Sequence, residues 1–266
     1  MTPTQIVERA LEEDIGSGDV TTNLCVPPDR KARGRFLVRE TIVVAGVELL
    51  PRLYDDIDLK SPSGTCLEAG EEIATVRGSA RTLLTRERVA LNFLQHLSGI
   101  ATQARNYVDA VAGTGCRILD TRKTIPGLRE LEKMAVRAGG ATNHRMGLFD
   151  AVLIKNNHIT AAGGVRAALA ATGKANVPVQ IEVRTLAELE EALQCGAQKL
   201  LLDNLSPAEA KEWIRYITGR ATVELSGGIT LDTVRAYAET GADFISVGAI
   251  THSARAVDIH FHLELA

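Results

Sequence analysis

From Arg117 onward the chain repeats one pattern: a short apolar run, a charged or glycine-rich cluster, then a helical stretch. The clusters are Asp120-Thr121-Arg122-Lys123, Lys155-Asn156-Asn157-His158, Glu182-Val183-Arg184, Asp203-Asn204, Ser226-Gly227-Gly228 and Ser246-Val247-Gly248. The first two lie roughly thirty residues apart and the later ones roughly twenty-odd, the length of a strand, a helix and two short loops. In a parallel barrel built from such units every strand C-terminus opens onto one rim, so these side chains would meet at one mouth.

The runs themselves suit that arrangement. Short, nearly continuous apolar strands (LLL, AVLI, FISV) are expected where a parallel sheet is buried on both faces. The spacing predicts strands at Arg117–Asp120, Ala151–Ile154, Val179–Val183, Lys199–Asp203, Thr222–Leu225 and Phe244–Val247. Helices are expected at Gly127–Ala138, Ala161–Ala171, Leu186–Cys195, Pro207–Ile217 and Leu231–Glu239. Ser206-Pro207 opens a helix, and Gly196, Gly219 and Gly241 follow helix ends, as capping requires. Six β/α units are visible, short of the eight of a closed barrel.

The first third lacks this rhythm. It reads as a helix at Thr4–Glu13, a turn-rich loop at Ile15–Thr22, and a strand within Gly34–Gly46. A short helix at Val47–Tyr54, a strand at Ile57–Lys60, and a turn at Glu68–Glu72 leading into Ile73–Val76 follow. Ser79–Leu97 carries the strongest helical periodicity. Ser98-Gly99 reads as a break, with a second helix at Ile100–Val111. The tail from Arg255 is strand-like, and His260 and His262 would share one face without a third metal ligand in view.

A formal net charge of −3 argues against nucleic-acid or acidic-membrane partners, so any positive potential must be local. Cys25, Cys66, Cys116 and Cys195 are scattered, with no C-x-x-C pair; reduced thiols in a cytoplasmic protein are expected. Met1–Asp14 has no apolar leader core, and no run approaches the ~20 apolar residues of a membrane span.

At the rim, Ser226-Gly227-Gly228 and Ser246-Val247-Gly248, with His252 just beyond, follow successive strands where barrels often bind phosphate through backbone N–H groups. Each could equally be a tight turn. Arg122, Lys123, Lys155 and the loop bearing His144 and Arg145 supply cations. One alone could be solvated, but together they suit a ligand with several negative groups. Glu182 and Asp203 end neighbouring strands, either to neutralise Lys123 and Lys155 or to hold sugar hydroxyls near a centre that becomes positive. G-x-S-x-G and H-E-x-x-H are absent, so serine hydrolysis and zinc chemistry have no support.

At these residues the chain closely resembles the quinolinate phosphoribosyltransferases. The matching segments are DIGSGDVT at Asp14–Thr21, ERVALN at Glu87–Asn92, LSGIAT at Leu97–Thr102 and DTRKTIPGLR at Asp120–Arg129. NHRMGL at Asn143–Leu148, LIKNNH at Leu153–His158 and the two glycine loops continue them in the family's order. Asn156 and Ala141 depart from the family's usual acidic residue and glycine.

The resemblance implies an N-terminal α/β sandwich, residues 1–112 with the tail 255–266 packing back on it, and a C-terminal incomplete, seven-stranded α/β barrel, residues 113–254. It implies a homodimer, its assembly beyond the dimer left open, in which Arg88 reaches the neighbour's mouth. The implied reaction is phosphoribosyl transfer from phosphoribosyl pyrophosphate to quinolinate, with Mg2+, releasing CO2 and pyrophosphate. Arg88, Thr121, Arg122, His144, Arg145 and Lys155 would bind quinolinate. Lys123, Glu182, Asp203, Ser226, Gly227, Gly228, Ser246, Val247, Gly248 and His252 would bind the sugar substrate. Lys123, Glu182 and Asp203 would be catalytic, with no direct metal ligand assigned. The rival readings are the same transfer onto nicotinate without decarboxylation, a Schiff-base lyase using Lys155 or Lys123, and a non-catalytic sensor of phosphate ligands.

Overall fold

The computed structural model describes residues 2–265, which form two compact units. The first comprises Met1–Arg105, Thr124–Gly140 and Ile250–Ala266, and the second Asn106–Lys123 and Ala141–Ala249. The boundaries thus differ from the single expected division at 112/113, because segment 124–140 packs with the first unit. Arg105 Nε donates to Gly139 O at 3.1 Å, and a side chain at Gly139 would collide with Ala101 O, 2.3 Å from its Cβ.

In the first unit, helix α1 (Pro3–Ile15) starts at a capping box of Thr2 and Gln5. Where a loop was expected through Thr22, a second helix, α2 (Val20–Cys25), begins. Asp19 caps it, its carboxylate accepting from Thr22 N at 2.9 Å. Strands β1 (Lys31–Val38), β2 (Ile42–Val43), β3 (Asp56–Leu59), β4 (Cys66–Leu67) and β5 (Glu72–Ser79) follow, with a 3₁₀ turn at Val47–Arg52. The strand Ile259–Leu265, β1, β5 and β3 form one antiparallel sheet in that order, and β2 pairs with β4. Along β1 the residues alternate strictly, with Ala32, Gly34, Phe36 and Val38 buried. Gly34 is required there, since the Phe261 ring lies 2.1 Å from where a Cβ would stand.

The two helices expected on either side of Ser98-Gly99 are one 31-residue helix, α3 (Ala80–Ala110). Neither residue breaks it, because each meets a packing need instead. Ser98 Oγ accepts from Ala45 N at 3.0 Å, satisfying a buried backbone donor. Gly99 admits the backbone of Arg255, whose carbonyl oxygen is 2.1 Å from a hypothetical Cβ. Leu83, Leu94, Leu97 and Ile100 of α3 are fully buried, each contributing about 1.5–3 kcal/mol of apolar transfer free energy. Helix α4 (Arg129–Ala138) completes the unit, with Glu132 Oε1 2.9 Å from His96 Nε2 of α3.

The second unit is a six-stranded parallel sheet: β6 (Arg117–Leu119), β7 (Val152–Ile154), β8 (Val179–Val183), β9 (Lys199–Asp203), β10 (Thr222–Ser226) and β11 (Phe244–Ser246). Their order is β6-β11-β10-β9-β8-β7, so the first and second strands are the two edges and the sheet is an incomplete barrel. The place of a seventh strand is taken by one parallel bridge, Leu119 to Thr142. Helices α5 (Asn156–Ala162), α6 (Val165–Ala171), α7 (Leu186–Gln194), α8 (Pro207–Ile217) and α9 (Leu231–Ala238) connect the strands. α5 begins immediately after Lys155, ahead of the helix expected from Ala161.

The sheet is not apolar on both faces. Ile181, Val183, Leu200, Leu202, Val223, Leu225 and Ile245 are buried on one face. The alternate positions carry Gln180, Glu182, Asp203, Glu224, Ser226 and Ser246. The period of two therefore separates an apolar face from a polar interior.

Candidate active site

Register fixes the rim. Ile154 pairs with Ile181, so Lys155 leaves β7 beside Glu182, and Asp203 is directly opposite Ser226. Lys155 Nζ is 3.5 Å from Glu182 Oε2; the carboxylate is buried while the ammonium is half-exposed. Asp203 Oδ2 accepts from Asn204 Nδ2 at 2.7 Å, and Asn204 is, among the described residues, one of two non-glycine residues with a positive φ, 58°. Gly227 (φ 107°) answers it from the next strand, since a Cβ there would meet Asn204 Oδ1 at 2.3 Å. Gly228 also has positive φ, 61°, but faces open space. Val247 contributes backbone rather than side chain: it is buried, and its N–H donates to Leu119 O at 2.9 Å.

The loop after the Thr142 bridge is held from two sides. Asp120, fully buried, accepts from Asn143 Nδ2 at 2.6 Å and from His144 N at 2.7 Å. The His144 ring reaches the interior, with Nε2 3.4 Å from Glu224 Oε2. Its Nδ1 accepts from Arg145 N at 2.7 Å, which assigns the ring hydrogen to Nε2. Arg145 Nη1 donates to Ala151 O at 3.1 Å. Burial, and then the neighbouring Arg122 charge, lower the Arg145 pKa against the opposing pull of Asp150. Two guanidiniums and an imidazole are thus held together at the end of β6. Lys123 N donates to Thr121 Oγ1 at 3.0 Å, ordering the turn that carries Arg122.

Of the residues named from sequence, Thr121, Arg122, Lys123, His144, Arg145, Lys155, Glu182, Asp203, Ser226, Gly227, Gly228, Ser246, Val247 and Gly248 all stand at the C-terminal end of the parallel sheet of the second unit. Arg88 and His252 belong to the first unit. Arg88 projects from α3 into a hollow of about 340 Å³ lined also by Asp14, Gly18, Asp19, Thr21 and Thr85. Asp19 Oδ2 accepts from Thr85 Oγ1 at 3.0 Å, so the glycine-rich segment is tied to the helix that bears Arg88. His252 ends a one-turn helix, Ala249–His252, and shares a hydrogen bond of 2.6 Å with Ser253 Oγ.

Sequence reasoning passed over Glu224, Gln180 and the anchoring role of Asp120. Glu224 is 3% exposed and accepts from Gln180 Nε2 at 2.8 Å. Burial alone would raise its pKa. Hydrogen bonds from His144, Gln180 and Ser246 outweigh that and hold it below the ordinary glutamate value. The signal was in plain view: T-V-E-L-S and Q-I-E-V alternate, as strands with one polar face do.

An open parallel α/β sheet whose C-terminal rim carries arginines, lysines, two carboxylates and glycine turns defines an α/β enzyme for small polyanionic substrates. Sequence comparison narrows the class. Residues 19–98 match the N-terminal domain, and residues 100–262 the C-terminal domain, of the quinolinate phosphoribosyl transferase family model. The carboxylating nicotinate-nucleotide pyrophosphorylase of Mycobacterium leprae is 41% identical over 271 residues, covering 97% of this chain and 95% of its own. The chloroplastic enzyme of that name from Oryza sativa subsp. japonica is 40% identical over 97% of this chain and 77% of its own. The crystal structure of NadC from Streptococcus pyogenes superposes with a TM-score of 0.94 at 39% identity, covering 100% of this chain and 99% of the other. The chain belongs to the quinolinate phosphoribosyltransferase family.

Proposed function

We infer that the chain transfers the phosphoribosyl group of phosphoribosyl pyrophosphate to the ring nitrogen of quinolinate. The products are nicotinate mononucleotide, pyrophosphate and CO2, a step of NAD biosynthesis. The observation that carries this reading is the grouping of Arg122, His144, Arg145 and Lys155 with Glu182 and Asp203 on one rim, in a chain of this family. Quinolinate brings two carboxylates to that rim, and nicotinate would leave part of the cationic set without a counter-charge, an unfavourable way to hold partly buried cations.

In this reading Arg122 and Arg145 clamp the ring carboxylates, with Lys155 beside them and His144 fixing the loop. The turns Ser226-Gly227-Gly228 and Ser246-Val247-Gly248 offer backbone N–H groups to the 5′-phosphate, other than the Val247 N–H that Leu119 O already accepts, with His252 beyond. Lys123 balances the pyrophosphate. Glu182 and Asp203 hold the ribose hydroxyls and favour the positive charge that develops on the sugar as pyrophosphate departs. The alkylated ring nitrogen then accepts the electron pair left by the 2-carboxylate, so decarboxylation needs no separate base. Rate enhancement comes from positioning and fixed charge.

Among the described residues no group of three or more His, Cys, Asp or Glu could hold a metal ion. A pair of carboxylates fits Mg2+ nonetheless, since the ion commonly takes one or two carboxylates together with substrate phosphates. Glu182 and Asp203 are the carboxylates that would hold it. When bound, magnesium offsets charge on the leaving pyrophosphate.

We also propose a homodimer in which Arg88 completes the neighbour's rim. Arg88 stands on a hollow of its own unit with carboxylates but no second cation lining it, a setting that suits service to an anion bound elsewhere. Mixing Arg88→Ala with Lys123→Ala would then restore about a quarter of wild-type activity by random exchange of subunits. Recovery no better than either variant alone would contradict it. A cytoplasmic location is proposed from the four scattered free cysteines. Among the described residues no helix is long and apolar enough to cross a membrane.

The function is tested by incubating the purified protein and phosphoribosyl pyrophosphate with quinolinate or with nicotinate. CO2 released in step with pyrophosphate from quinolinate supports it, and turnover of nicotinate alone would overturn it.

A further inference from the structure

Of the two non-glycine residues with a positive φ among those described, Thr218 (52°) caps the C-terminus of α8, where a left-handed residue is ordinary. Asn204 (58°) ends no helix. It follows β9 directly, beside Asp203, on the link to the Ser206 cap of α8. Glycine holds such a conformation without steric cost, as the turn on the next strand does at Gly227 and Gly228. Asparagine tolerates it better than most side chains and adds an amide to the rim.

That amide touches both halves of the proposed sugar site. Its Nδ2 donates to Asp203 Oδ2 at 2.7 Å. Charge sets this orientation, because an amide oxygen turned to the carboxylate at that distance would be repelled. On its other side the amide lies over Gly227, where a Cβ would stand 2.3 Å from Oδ1 and 2.7 Å from Cγ. The backbone around it is pinned. Asn204 N donates to Ser226 O at 2.9 Å, and Tyr237 Oη donates to Leu205 O at 3.0 Å. The rotation of the Asp203 carboxylate is thereby restrained through Oδ2, and Oδ1 is left for a ligand.

We propose that Asn204 is a positioning residue for phosphoribosyl pyrophosphate, setting the Asp203 carboxylate against the Ser226-Gly227-Gly228 turn. The role rests on the reading of Asp203 as a ribose contact and of that turn as part of the 5′-phosphate cradle, and adds the residue that joins them. Ribose hydroxyls and 5′-phosphate belong to one molecule, so both contacts form together only where carboxylate and turn have the matching separation. Quinolinate has no ribose and in the same reading meets Arg122, Arg145 and Lys155, so its binding should not feel the change. Because Asn204 is exposed, removing its amide should leave stability nearly unchanged, which separates positioning from a structural role.

The test uses the intact enzyme with two substitutions. Asn204→Gly keeps the left-handed backbone and removes the amide; Asn204→Asp keeps the shape and removes the donor. Each should lower kcat/KM for phosphoribosyl pyrophosphate about tenfold, while calorimetric affinity for quinolinate alone stays within about twofold. The Tm of each should stay within about 2 °C of wild type. Added to Asp203→Ala, Asn204→Gly should bring no more than about a twofold further loss, because the amide acts through that carboxylate. Wild-type kcat/KM in Asn204→Asp would mean that shape alone suffices and would overturn the proposal. So would equal losses for both substrates, losses that multiply in the pair, or a Tm lowered by more than about 5 °C in both variants. Asp203→Ala alone tests the underlying reading: if its phosphoribosyl pyrophosphate kinetics match wild type, that reading fails and the proposal with it. If Asp203→Ala is impaired and Asn204→Gly is not, the proposal alone falls.

Discussion

The two sheets of this protein follow the same period-two alternation and put it to opposite uses. In the antiparallel sheet of the first unit, the charged positions form modest ion pairs, Arg35 with Glu264 at 2.8 Å and Arg77 with Asp56 at 3.6 Å, all partly exposed. Pairs of that kind are worth about 0–1 kcal/mol. In the parallel sheet of the second unit, the polar positions face an enclosed interior, and Glu182 and Glu224 are 7% and 3% exposed. Polar groups on a wet face need no explanation beyond solubility. Polar groups lining the inside of a parallel sheet oppose the hydrophobic driving force, and that cost is the ground on which the interior and its rim are proposed as the working part.

This contrast can be broken in several ways. The largest effect is expected for Glu182→Gln, which should lower kcat about 10²–10³-fold and leave the quinolinate KM within about threefold. A change confined to KM would move Glu182 from the reacting sugar to ligand docking. Next, Glu224→Ala should destabilise the fold by about 2–4 kcal/mol in urea titrations, since it strips the acceptor from His144 and Gln180. Asp56→Ala in the antiparallel sheet should cost under about 0.5 kcal/mol. Equal costs would remove the distinction drawn between the sheets.

Turns sharpen the comparison further. Gly227→Ala combines a positive φ with a contact of 2.3 Å to Asn204 Oδ1. It should cost about 2–3 kcal/mol and raise the phosphoribosyl pyrophosphate KM. Gly70→Ala, at φ 93° but with nothing within 4 Å, pays only the backbone strain, about 1 kcal/mol, with activity unchanged.

The smallest effect concerns acid. The folded-state pKa of Glu224 lies below its ordinary 4.5. Its ionised form therefore stabilises the fold above that value, and this contribution is lost as pH falls below 4.5 through the folded value. Glu224→Gln should accordingly show a shallower loss of stability below about pH 4.5 than wild type, measured by thermal melts. An identical slope would mean that Glu224 does not titrate differently on folding.

Much of this was legible in the sequence because the relevant forces are local. The helix start at Ser206, apolar strand runs and the charged strand ends follow from propensity and periodicity, and β8 and β9 lie where the spacing put them. The misreadings arose where a tertiary contact decided. Ser98-Gly99 has the composition of a helix break, yet Ala45 and the Arg255 backbone turn it into a packing site inside α3. Asp19 reads as a loop residue until its cap on α2 is seen. Glu224 was overlooked because an apolar-run reading of the strands hides a polar residue flanked by Val223 and Leu225. Strict alternation would have exposed it. Arg88 carries no periodic signal at all, and only family resemblance singled it out.

The central claim is that the polar rim of the parallel sheet, and not the charged face of the antiparallel one, binds the aromatic dicarboxylate. Calorimetric titration of quinolinate into wild type, Arg122→Ala and Arg77→Ala compares one arginine from each sheet. The account predicts that Arg122→Ala weakens binding at least about thirtyfold, the loss of a charge-assisted bidentate pair, and that Arg77→Ala matches wild type. Wild-type affinity in Arg122→Ala, or a comparable loss in Arg77→Ala, would contradict it.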